Sequence, residues 1–131
     1  MKSLTQALKG RTDVPDHGTA ARWIREGIVS ARGGGKGGKS NHYRIGTEEI
    51  YQLRVLWALH QYCNSKILRQ IGHILQNRDK DFKGELWILD DGEVIIQGTK
   101  LGNRHLVTMI DLNKMPKDPY SEQAELNIVE V

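Results

Sequence analysis

The chain predicts an α+β fold: a largely helical part over residues 1–80 that carries one β hairpin, then a small antiparallel β-sheet over 81–131. Three observations lead there. Apolar residues recur at the three- and four-residue spacing of helices in four stretches before residue 78. A run with five glycines between 33 and 38 divides those stretches and cannot be helical. After residue 83 the spacing drops to the two-residue period of strands, punctuated by Asp91–Gly92 and Gly102–Asn103.

Taken in order, Ser3 caps a short first helix with the stripe Leu4, Ala7 and Leu8, and Gly10 stops it. Pro15 and Asp16 open a second helix. Ala20, Trp23 and Ile24 line its apolar side, Arg22, Arg25 and Glu26 lie opposite, and Gly27 supplies the left-handed residue that ends it. Ile28–Ser30 and His42–Ile45 are short strand candidates flanking the glycine run, which together make a hairpin with a cationic tip. Thr47 is expected to cap the third helix, with Glu48 and Glu49 at its positive end. Ile50, Leu53, Leu56, Trp57 and His60 run along that helix. Asn64 or Ser65 starts the fourth, whose series Ile67, Leu68, Ile71, Ile74 and Leu75 is the clearest amphipathic signal in the chain. GELWILDDGEVIIQG then reads as strand, turn, strand, and RHLVTMIDL as a third strand. A sheet of about 45 residues does not stand alone, so it packs on the helices or on a second chain.

The composition, 38% hydrophobic and 27% charged, is that of an ordinary soluble chain. No uncharged apolar run reaches membrane-spanning length, and the first residues lack the apolar stretch of a secretory signal. Cys63 is the one cysteine, which fits a reducing cytoplasm and excludes a disulfide scaffold or a cysteine-rich zinc module. The net charge of +3 conceals an asymmetry. Residues 1–80 hold 14 Lys/Arg against 6 Asp/Glu, a net of +8, whereas 81–131 hold 5 against 10, a net of −5. Clustered cations gain by displacing counterions condensed on a polyanion, although a merely solvated basic surface has the same composition.

A helix, a tight turn and a second helix bearing Thr19, Arg22 and Arg25 make a helix-turn-helix pattern, with the second helix destined for the major groove of duplex DNA. Arginine suits base reading because its planar fork satisfies guanine O6 and N7 together. His17 and Thr19 are smaller candidates for base or phosphate contact, and Arg11 belongs to the same cationic set. The hairpin reads as a wing: its Arg32, Lys36, Lys39 and Arg44, with Arg25 of the second helix, neutralise phosphates or probe a minor groove, while Tyr43 buttresses the wing and, with Arg44, is a candidate to bind a phosphate through its hydroxyl. TAARWIREGIV, the basic loop, HYRI and TEEIYQLRVLWAL together resemble the winged helix-turn-helix domain of MerR-type transcriptional regulators over roughly residues 3–76. The matching features are Arg22–Trp23, Glu26–Gly27, the Tyr43–Arg44 return of the wing and the capped helix at Thr47. The resemblance implies a transcriptional regulator that binds double-stranded DNA as a homodimer, without catalysis, cofactor or metal, in the cytoplasm at the nucleoid. The chain departs from the family in turning to strands where the family continues in a long dimerising helix. The acidic β region is therefore expected to serve as the dimerisation or protein-contact module. Similar small domains also occur in phage excisionases, which leaves a DNA-architectural or recombination accessory role as the alternative.

Other patterns point elsewhere. GGGKGGKS (33–40) satisfies the Walker A expression, and LWILDD resembles the apolar run ending in aspartate that supports Mg²⁺ in nucleotide hydrolases. A P-loop needs a buried strand before it and a helix directly after it; here an arginine-rich helix precedes and Asn41–Gly46 follows. Asp90–Asp91–Gly92 is better explained as a hairpin turn. His60, Cys63 and His73 could supply three zinc ligands, but a half-buried histidine and a core thiol between packed helices explain them more simply.

Overall fold

In the computed structural model, described for residues 1–33, 43–79 and 82–120, the chain is a mixed α+β structure with four α-helices and two three-stranded antiparallel sheets. The elements are β1 (Lys2–Ser3), α1 (Leu4–Leu8), α2 (His17–Arg25), β2 (Arg32–Gly33), β3 (Tyr43–Ile45), α3 (Thr47–Leu59) and α4 (Ser65–Asn77). Then come β4 (Glu85–Leu89), β5 (Val94–Ile96), β6 (Leu106–Asp111) and a 3-10 turn at Leu112–Lys114.

A five-residue helix such as α1 is too short to persist unaided, and a reciprocal cap fixes its start. Gln6 N–H donates to Ser3 Oγ and Ser3 N–H to Gln6 Oε1, each at 3.3 Å. The connection from α1 to α2 spans residues 9–16 and is longer than the tight turn expected from sequence. The end of α2 is closed by paired bonds: Gly27 N–H donates to Ile24 O at 3.1 Å and Ile28 N–H to Trp23 O at 2.9 Å. Gly27 takes φ 78°, which a side chain would oppose.

This closure explains why Ile28–Ser30 is not the strand its composition suggested. The amides of Ile28 and Val29 are spent on Trp23 O, and the Ser30 amide on Gln52 Oε1. Ile28 and Val29 are instead buried in the core. The hairpin accordingly begins at β2, with Arg32 opposite Arg44 and Gly33 opposite Tyr43. On the other side of β3 lies β1, pairing Lys2 with Ile45 and Ser3 with Arg44. A strand of two residues shows no period and left no signal in the sequence.

The cap of α3 is Gly46 rather than Thr47, because the Gly46 amide donates to Glu49 Oε1 at 3.1 Å. Asn64 caps α4, its Oδ1 accepting from Ile67 N–H at 2.9 Å. The second sheet, in the order β5-β4-β6, packs on the helices. Leu86, Ile88, Val94 and Leu112 join Leu53, Leu56, Leu68, Ile71 and Leu75 in one apolar cluster that also holds Leu4, Ala20 and Trp23. Gln70 of α4 fastens β5: its Nε2 donates to Gly92 O and its Oε1 accepts from Val94 N–H, both at 2.9 Å. Further along α4, Gln76 Nε2 donates to Gly27 O and Ile28 O, each at 2.8 Å, so α4 grips the exit of α2.

Candidate nucleic-acid interface

Amphipathic spacing divides α2 into two sides. Ala20, Ala21 and Trp23 are buried, while Arg22 and Arg25 are exposed in the last turn. Cations are favoured there by the negative end of the helix dipole, so their position is compatible with a purely structural benefit as well as with a ligand. Neither forms a salt bridge among the described residues. At the other end, Asp16 precedes the helix. The Thr19 hydroxyl, with help from the Arg22 charge, holds the Asp16 carboxyl below its usual range. Thr19 is half-buried, as is His17, whose Nε2 is buried without a hydrogen-bond partner among the described residues.

On β3, alternation buries Tyr43 and Ile45 and exposes Arg44. Tyr43 therefore faces the core, which suits a buttress and not a phosphate contact. Arg32 is exposed and directly opposite Arg44, so two guanidinium groups share one face of the hairpin. Like charges in opposed positions of an antiparallel pair destabilise it by a few tenths of a kcal/mol. Neither has an acidic partner among the described residues. Lys36 and Lys39 lie outside the described residues.

Arg11 does not belong to this surface. Its side chain is only 7% exposed and is held by Asp13 at 3.0 Å and Asp118 at 2.7 Å. Arg54, 8% exposed, donates to Asp13 Oδ2 at 2.7 Å and to Pro116 O at 2.7 Å. Tyr120 completes the group, with the Arg11 guanidinium 4.7 Å from its ring centre. Burial opposes the charge on Arg11, but the hydrogen bonds it donates to Asp13 and Asp118 outweigh it and raise the pKa. These contacts strap residues 116–120 across α3 and the α1–α2 connection. Sequence reading missed Arg54, since an arginine between Leu53 and Val55 carries no pattern that distinguishes a buried partner from a solvated one.

The strap yields a pH-dependent prediction. Burial would raise the Asp118 pKa, but the Tyr120 amide and Arg11 overcome it and hold the carboxyl below its usual range. Such a group stabilises the fold above its unfolded value of about 3.9 and stops doing so as pH falls through the lower folded value. Arg11→Ala should cost about 1–3 kcal/mol at pH 7, because the half-buried Asp118 carboxylate loses its guanidinium donor while Asp13 keeps Arg54. The gap between variant and parent in urea unfolding should narrow below about pH 4. A gap constant from pH 7 to pH 3 would assign the loss to packing alone.

The remaining patterns resolve into local structure. Gly33 sits in β2, and the antiparallel strands β2 and β3 flank the rest of the glycine run, so α3 does not directly follow it. Asp90–Gly92 forms the β4–β5 turn, with Asp91 Oδ1 accepting from Glu93 N–H at 3.0 Å and Gly92 at φ 84°. His60 stacks on Trp57 with ring centres 4.1 Å apart, His73 is exposed, and burial pushes the Cys63 thiol up. Among the described residues, no three His, Cys, Asp or Glu side chains are grouped to hold a metal, and no helix is long and apolar enough to cross a membrane. Comparison of the chain with family models, with curated proteins and with solved structures finds no match.

Proposed function

We propose that the protein is a sequence-specific double-stranded DNA-binding regulator built on a MerR-like winged helix-turn-helix plan, acting at the nucleoid as a homodimer on two half-sites. In this reading α2 enters the major groove. Arg22 and Thr19 read base edges with His17 beside them. Arg25, Arg32, Arg44 and the lysines of the glycine run neutralise phosphates. The observation that carries it is the set of four exposed arginines, Arg22, Arg25, Arg32 and Arg44, that have no salt bridge among the described residues while Arg11 and Arg54 are internally paired. An isolated like-charge pair on a two-residue strand has a small cost to stability, and a polyanion turns that cost into affinity.

The test is selection of bound duplexes from a random library, followed by titration of the best duplex and of a random one. Arg22→Ala should weaken the selected duplex by about 1–3 kcal/mol and relax the preference, whereas Arg44→Ala should weaken both duplexes alike. Absence of duplex binding by the intact protein at low salt overturns the reading. Equal losses on both duplexes for both variants overturn the division between α2 and the hairpin.

A further inference from the structure

We infer that the cleft between α3 and the strap is a binding site for a small monocarboxylate with an apolar body, its carboxylate received by the buried guanidinium of Arg54. The cleft has a volume of about 380 Å³ and is walled by Trp57 and Ala58 of α3 and by Met115, Pro116 and Pro119. Its charged residues are Arg54, Asp13 and Lys117. Mostly apolar walls with a few fixed polar groups are the form that small-molecule sites take.

Arg54 is what singles this cleft out. Its side chain is only 8% exposed, yet the protein uses two of the five N–H donors that a guanidinium carries. Nε donates to Asp13 Oδ2 and Nη2 to Pro116 O, each at 2.7 Å, and Nη1 has no hydrogen-bond partner among the described residues. Among those residues, the one fully enclosed side-chain nitrogen or oxygen without a partner is His17 Nε2. Nη1 therefore keeps an opening to solvent, and the cleft that Arg54 lines supplies it. A charged donor set among apolar walls forgoes much of its hydration. An anion makes up that loss better than a neutral acceptor, because hydrogen bonds between ionised partners are the stronger. The two existing bonds already fix the guanidinium plane, so a ligand does not have to order it.

Charge balance sets the valence of the ligand. Arg11, Arg54 and Lys117 against Asp13 and Asp118 leave one positive charge uncompensated in this cluster. Asp13 is already engaged: its Oδ1 accepts from Arg11 Nε at 3.1 Å, and its Oδ2 from Arg11 Nη2 and Arg54 Nε. A doubly charged phosphate would exceed the balance and would shed its hydration against tryptophan, methionine and proline surfaces. A carboxylate on a ring or short alkyl chain matches both needs, with one charge for Nη1 and an apolar body for Trp57 and the prolines.

This inference does not rest on DNA binding and is tested without DNA. The full chain, labelled with ¹⁵N, is titrated with benzoate, with benzamide as its uncharged counterpart and with inorganic phosphate. The readout is the indole N–H signals of the three tryptophans. Benzoate should move the Trp57 signal, assigned by its loss in Trp57→Phe, to a saturating limit. Benzamide should bind about tenfold more weakly, since it lacks the charge. Ala58→Leu changes an exposed helical position and fills the cleft, so thermal unfolding should stay within a few degrees of the parent. Benzoate should bind this variant at least about tenfold more weakly, as expected when a ligand-sized space is occupied. A Trp57 signal that does not saturate with benzoate overturns the inference. Benzamide or phosphate binding as well as benzoate overturns it too, as does undiminished benzoate binding by folded Ala58→Leu.

Discussion

Replacing Gly72 with alanine should destabilise the protein by about 3 kcal/mol, a fall of about 10 °C in the unfolding midpoint. In the middle of a helix this substitution ordinarily stabilises by about 1 kcal/mol. Here α4 lies directly on the turn that follows α2. A Cβ at residue 72 would come within 2.3 Å of Ile28 O and 2.7 Å of Ile28 Cγ2. The first of these is main chain, held by Gln76 and by the bonds that close α2, and cannot turn aside as a flexible side chain would. Gly18→Ala is the matching control, since its Cβ would meet Asp16 Oδ2 at an ordinary 3.5 Å. That change should be neutral or stabilising by about 0.5 kcal/mol. Circular dichroism on both variants decides the matter, and a Gly72→Ala midpoint at or above the parent's would contradict the close approach.

The second large effect concerns salt. On the proposed DNA-binding reading, in which Arg25, Lys36, Lys39, Arg32 and Arg44 would meet about five phosphates, the logarithm of the association constant should fall against the logarithm of salt with a slope of about −4 to −5. Between 50 and 200 mM that amounts to about 500-fold in affinity. Arg44→Ala should make the slope shallower by about one, whereas Arg11→Ala, measured where that variant remains folded, should leave it unchanged. Fluorescence anisotropy across a salt series gives both slopes. A slope near zero would mean that the exposed arginines do not meet a phosphate backbone.

The helices and the second sheet were legible because each announces a period: Ile67 to Leu75 at helical spacing, LWILDDGEVII as alternation around Asp-Gly. The exit of α2 was legible in Gly27, since few residues accept its backbone angle. Reading failed where the decisive partner is set by the fold and leaves no mark in the local pattern. Arg11 looked like one more cation of the basic half because Asp118 lies 107 residues away. Ile28–Ser30 looked like a strand because its composition is that of one, while its amides are claimed by Trp23 and Gln52. Gly72 passed unnoticed for the same reason: only Ile28, laid across it, gives the missing side chain a meaning. Of the interface, the sequence supplied the candidate cations, and burial then separated exposed Arg22, Arg25, Arg32 and Arg44 from interior Arg11.

The paired aspartates and arginines beneath the strap have a bearing on how the chain is born. During synthesis Asp13 and both arginines leave the ribosome well before Asp118 is translated, so one carboxylate must serve two guanidinium groups in the interval. Closing a loop of that length is among the slowest contacts a chain of this size makes. The nascent helical half therefore begins with a surplus of positive charge near its own interior, which Asp118 neutralises only once it has been added far downstream.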